Sequence, residues 1–119
     1  MTKKELRQLY YLNREIMNDT EELLDLKFER KCSGDSRWGK RQEKMIAVRE
    51  KEIVEKIRRC QGLKNKIRTY INSIDDSFVR QIFQYRFIKC LPWRNVAYMV
   101  GGGNTPDSVR KIVDRYLNK

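Results

Sequence analysis

The sequence predicts an all-α protein, with a long antiparallel helical hairpin first and a small group of short helices last. Two stretches, one ending near residue 31 and one running from about 41 to 74, carry apolar residues in steps of three, four and seven, the period of a helix with one buried stripe. Only two prolines occur, Pro92 and Pro106, so nothing interrupts a helix before residue 92. No segment shows the alternating pattern of a strand.

The first helix is predicted over 3–31. Leu6, Leu9, Asn13, Ile16, Thr20 and Leu23 form its stripe, and Tyr10, Met17 and Leu24 widen it. Asn13 and Thr20 stand at positions that are normally apolar, which reads either as a seam where register matters more than raw stability or as a plain amphipathic helix lying against a core. "CSGDSRWGK", residues 32–40, reads as the connecting loop. A second helix follows to about residue 72, with Ile46, Ile53, Ile57, Cys60, Ile67, Ile71 and Ile74 on one stripe. It would be roughly 48 Å long, and a short loop between two long helices folds them back on each other. Two helices bury little alone, so this hairpin should pack on the rest of the chain or pair with another copy.

"NSIDDS", residues 72–77, marks a break, with Ser73, Asp75 or Ser77 available to cap the helix "FVRQIFQYRFIK". Its aromatic residues supply the core of a small C-terminal domain. The division expected is therefore 1–74 for the hairpin and 75–119 for that domain.

Charge points to the class of partner. The chain of 119 residues has 27 basic and 16 acidic side chains, a net charge of +11. Residues 1–31 carry seven of each sign, whereas 80–119 carry eight basic against two acidic. Such a field suits a polyanion. In "KIRRCQGLKNKIR", residues 56–68, six basic residues occur without an acid, read either as a solvated face or as a phosphate-tracking surface. Histidine is absent, and Cys32, Cys60 and Cys90 form no metal-binding pair, so no catalytic centre, metal or cofactor is expected and reduced structural thiols are. No apolar run reaches membrane-spanning length and no signal-peptide pattern opens the chain; the expected compartment is the cytoplasm, with no membrane partner.

"GGGNTPDSVRKIVDRY", residues 101–116, decides between two readings. A phosphate-binding loop needs a preceding strand and a lysine directly after the glycines; here the preceding segment is helical and the first lysine is Lys111. A helix–turn–helix fits better. Pro92 starts a short helix with Val96, Ala97 and Val100 inward, and Gly101 ends it in the left-handed conformation. Thr105 caps a second helix over 106–118, with Pro106 at its first position and Asp107 complementing its dipole. That helix buries Val109, Ile112, Val113 and Tyr116 or Leu117.

"RFIKCLPWRNVAYMVGG" resembles the part of bacterial sigma factor region four that enters its helix–turn–helix, with Arg86, Phe87, Ile88, Val96, Ala97 and Gly101 in the matching places. "GGGNTPDSVRKIVDRYL" is similar to the C-terminal end of small sigma-like prophage regulators of Gram-positive bacteria, the group that includes the ArpU and RinA-type late regulators. The resemblance spans roughly 78–118 and implies a DNA-binding activator of late phage genes. It implies double-stranded DNA as a partner, host RNA polymerase as a second, and a hairpin that serves dimerisation or polymerase contact. The turn is longer than in the standard motif, and Pro106 stands where a DNA-contacting side chain is usual. Asp107, Ser108 and Lys111 are accordingly expected near bases, and Arg94, Asn95, Arg110 and Arg115 at phosphates, with Asn104 and Thr105 at the same edge. The alternatives are a DNA-packaging adaptor of the small-terminase kind and a polymerase-binding module that never touches DNA.

Overall fold

A computed structural model describes residues 1–33 and 38–119; the expected loop at 32–40 falls partly outside them. The described residues are helical with no strand: α1 (Lys3–Ser33), α2 (Lys40–Asn72), α3 (Ser77–Phe83) continuing into a π-helical turn (Gln84–Ile88), α4 (Trp93–Val100) and α5 (Pro106–Leu117). None of these helices is long and apolar enough to cross a membrane. Two compact units form, one from residues 1–10 with 62–119 and one from residues 11–61. The expected boundary at residue 74 falls inside the first, at the break between α2 and α3.

In the unit of residues 11–61, Ile46 and Ile53 are buried and Cys60 is half-buried, in steps of seven along α2. Ile57, expected on that seam, is 41% exposed, because at about 100° per residue it stands off to the side of a seven-residue repeat. Tyr10, Met17 and Leu24, expected to widen the α1 stripe, are exposed as well. Asn13 accepts a hydrogen bond from the Cys60 thiol at 3.1 Å, so the polar stripe residue meets a polar partner on α2. Thr20 is exposed and donates to the Ile16 carbonyl within its own helix at 2.7 Å.

Asp19 is the one buried charge among the described residues, 9% exposed. Its carboxylate accepts a hydrogen bond from Lys56 Nζ and lies 3.9 Å from Arg49. Lys56 also pairs with Glu15 at 2.9 Å, and Arg49 with Glu22 at 3.2 Å. The hydrogen bonds to Asp19 and then Glu15 raise the Lys56 pKa above its ordinary value. Farther along, Lys27 pairs with Glu50 at 3.1 Å and Arg30 with Glu43 at 3.3 Å. From Glu15–Lys56 at one end to Arg30–Glu43 at the other, the α1 partner number rises while the α2 number falls, so the two helices pair here in opposite directions.

The unit of residues 1–10 and 62–119 holds most of the core. Leu6 and Leu9, Ile67 and Ile71, Ile74, Ile82, Phe83, Val96, Val109 and Val113 are all buried. Burying one such side chain is worth about 1.5–3 kcal/mol. Phe83 is at the centre, edge-on to Tyr116 of α5 at 5.4 Å and tilted against Phe87 at 5.4 Å and Tyr70 at 6.3 Å.

Asp76 caps α3, its Oδ1 accepting the Phe78 and Val79 amides at 2.9 and 3.3 Å. Ser73, Asp75 and Ser77 were the expected caps; Asp76 takes the role because its extended backbone stands at the residue immediately before the helix. The expected single helix to Lys89 instead widens at Gln84, where the Lys89 amide donates to the Gln84 carbonyl five residues back at 3.0 Å. Cys90 follows with φ +57°. Arg86 fastens this exit, donating to the Leu91 carbonyl at 3.0 Å with its guanidinium 4.3 Å from the centre of the Trp93 ring.

Candidate nucleic-acid interface

Helices α4 and α5 pack against each other and against α3. Pro92 stands one position earlier than predicted, at the cap of α4, where its carbonyl accepts the Asn95 and Val96 amides at 3.0 Å each. Val96 and Ala97 are buried and Val100 is half-buried. Arg94 and Asn95 are exposed on the opposite side.

Gly101 ends α4 with φ +65° and ψ −152°. Its φ is positive as predicted, but ψ lies outside the left-handed helical region, in territory that only glycine occupies without strain. Gly102 and Gly103 also have positive φ, so all three glycines carry the chain through the turn. Asn104 closes it: its backbone N–H and its side-chain Nδ2 both donate to the Gly101 carbonyl, at 3.3 and 2.7 Å.

Thr105 caps α5 in a reciprocal box. Its Oγ1 accepts the Ser108 amide at 3.1 Å, and Ser108 Oγ accepts the Thr105 amide at 2.9 Å. Ser108 Oγ also lies 3.2 Å from Asn104 Oδ1, which links the cap to the glycine turn. Asn104, Thr105 and Ser108 thus form one internal network.

The rest of α5 presents charge. Lys111 projects opposite the buried Val109 and Val113, and Arg115 lies beside it one turn on. Neither has a side-chain partner among the described residues. Both acids of α5 are neutralised: Asp107 by Arg110 at 3.0 Å, and Asp114 by Lys3 of α1 at 2.8 Å. What α5 offers to solvent is therefore net positive around Lys111 and Arg115.

Of the nine residues expected at this site, Asn104, Thr105, Asp107, Ser108, Arg110, Lys111 and Arg115 come from the turn and α5, and Arg94 and Asn95 from α4. The sequence reading missed Lys3, whose role depends on a contact more than a hundred residues away. It also missed Tyr98, which is 85% exposed beside the exposed Met99 on α4. Projecting α4 as a helix would have found it, since Tyr98 falls opposite Val96 and Val100 on the face of Arg94.

The field is concentrated in the same unit. Residues 1–10 and 62–119 hold 14 basic against 5 acidic side chains, and residues 11–61 hold 13 against 11. Within the basic run 56–68, Lys56 and Arg58 pair with acids, whereas Arg59, Lys66 and Arg68 are exposed. Comparison with protein-family models, curated proteins and solved structures finds no match to this chain.

Proposed function

We propose that the chain is a sequence-specific DNA-binding regulator of phage transcription, with α4, the glycine turn and α5 acting as a helix–turn–helix of the sigma region-four kind. The observation that carries the reading is the outward face of α5, where Lys111 and Arg115 stand without side-chain partners among the described residues while both acids of the helix are paired. In this reading α5 enters the major groove, Lys111 reaches base edges, and Arg94, Asn95, Arg110 and Arg115 hold phosphates. Asn104, Thr105 and Ser108 set the angle at which α5 is presented. Assignment to late phage genes rests on the resemblance of residues 78–118 to the ArpU and RinA-type regulators.

The test is duplex binding followed by fluorescence anisotropy across a salt series. Arg115→Ala should weaken binding on all sequences and reduce the salt slope by about one phosphate contact. A slope unchanged by Arg115→Ala and by Arg94→Ala would remove the proposed phosphate contacts. The exposed Tyr98 and Met99 favour a second reading, in which α4 docks on host polymerase. Loss of polymerase binding on Tyr98→Ala, with duplex binding unchanged, would select it.

A further inference from the structure

We propose that the unit of residues 11–61 is half of a four-helix bundle completed by a second copy of this chain. The interface is one face of its helix pair, formed by Met17, Leu24 and Phe28 of α1 with Val54 and Ile57 of α2. This inference is independent of whether the protein binds DNA.

The ion pairs within the unit give the two helices their sides and their register. Glu15 and Glu22 meet Lys56 and Arg49 along one side, and Lys27 meets Glu50 along the other. Projected at about 100° per residue, Met17, Leu24 and Phe28 fall on the Lys27 side of α1, and Val54 and Ile57 on the Glu50 side of α2. The Cys60–Asn13 and Lys27–Glu50 pairings bring Met17 level with Ile57 and Thr20 level with Val54. One face of the pair therefore carries five large apolar residues, all exposed, with Leu24 at 61% and Phe28 at 67%. The opposite face bears Glu15, Glu22, Glu52 and Glu55 together with Val48 and Met45.

Their spacing supports a bundle. Residues 17, 24 and 28 step by seven and four, the rhythm of a second seam beside the one already buried. The unit needs such a seam: among its described residues only Asp19, Ile46 and Ile53 are buried.

Charge favours a second copy over any partner of one sign. Residues 11–61 are near neutral, 13 basic against 11 acidic, and the apolar face carries Lys27 paired with Glu50, with Glu43 on the same side of α2. A two-fold axis places such a mixed face against itself with opposite signs in reach. Each face residue then acts twice per dimer.

Sedimentation equilibrium of the full chain tests this, with circular dichroism as the check on folding. Wild type should run at twice 14.4 kDa. Leu24→Glu combined with Val54→Glu should raise the dissociation constant by more than about 100-fold and give the monomer mass with helicity intact, since both side chains are solvent-exposed within one copy. Phe28→Arg, near the end of α1, should do the same if the double variant loses helicity. Val48→Glu, on the opposite face, should remain a dimer. A wild-type monomer at about 100 µM, a ring larger than two copies, or dissociation by Val48→Glu alone would overturn the proposal.

Discussion

Ser108 is where sequence and structure assign one hydroxyl two different tasks, and replacing it separates them. As a base reader, Ser108 would cost nothing to stability when truncated. As observed, its Oγ accepts the Thr105 amide at 2.9 Å while Thr105 Oγ1 accepts the Ser108 amide at 3.1 Å. An N-cap hydroxyl contributes about 1 kcal/mol, within a range of 0.5–2, and water recovers part of each bond at this exposed turn. Ser108→Ala and Thr105→Ala should therefore each cost about 1 kcal/mol, a shift of about 0.5 M in a urea midpoint at an m-value near 2 kcal/mol/M. Because the two bonds close one ring, the double variant should cost less than the two singles together, with a coupling of at least about 0.5 kcal/mol. Ser108→Glu should retain stability, since glutamate at this position completes the same box and favours the helix dipole, yet it should weaken duplex binding by adding negative charge. Urea unfolding at one fixed protein concentration is the assay. Ser108→Ala that leaves stability within about 0.3 kcal/mol while changing the preferred DNA bases would refute the capping role.

Three further outcomes concern the glycine turn and the buried carboxylate. Gly101→Ala should lose about 2 kcal/mol in thermal or urea unfolding even though its Cβ would meet open space, because φ +65° with ψ −152° is strained for any L side chain; a neutral result would contradict the observed turn. Asp19→Ala should cost about 2–3 kcal/mol, since Lys56 and Arg49 lose the one buried carboxylate between them. The Lys56 pKa is raised, so its contribution is fully present below the ordinary value of 10.5 and is lost as pH climbs through the higher folded-state value. Wild type should accordingly lose stability above about pH 10.5 more steeply than Lys56→Met; equal slopes would remove the linkage.

Local rules carried much of the fold. The periodicity of α1 and α2, the break after Asn72 and the start of α5 at Thr105-Pro106 were legible because each depends on residues within one or two turns. Asn13 was legible as a polar residue on the stripe of α1, and its partner Cys60 stands at a stripe position of α2. Asp19 was not, because a carboxylate in a helix seam makes sense only once Lys56 and Arg49 arrive from the other helix. The π-helical turn at Gln84–Ile88 has no composition signature; the exit fastened by Arg86 on Leu91 and Trp93 emerges only in three dimensions. At the candidate site, Lys111 and Arg115 could be placed on the outer face of α5 by phase alone. The pairing of Asp114 with Lys3 could not, and it changes the electrostatics of that face.

Selection from random duplexes by the 119-residue chain at about physiological salt, repeated with Lys111→Ala, tests base reading by α5 most directly. Wild type should yield a defined motif, and Lys111→Ala should lose it or relax it at one base pair, at a cost of about 1–3 kcal/mol. Recovery of no motif, or of the same motif with undiminished affinity from Lys111→Ala, would contradict base reading by α5.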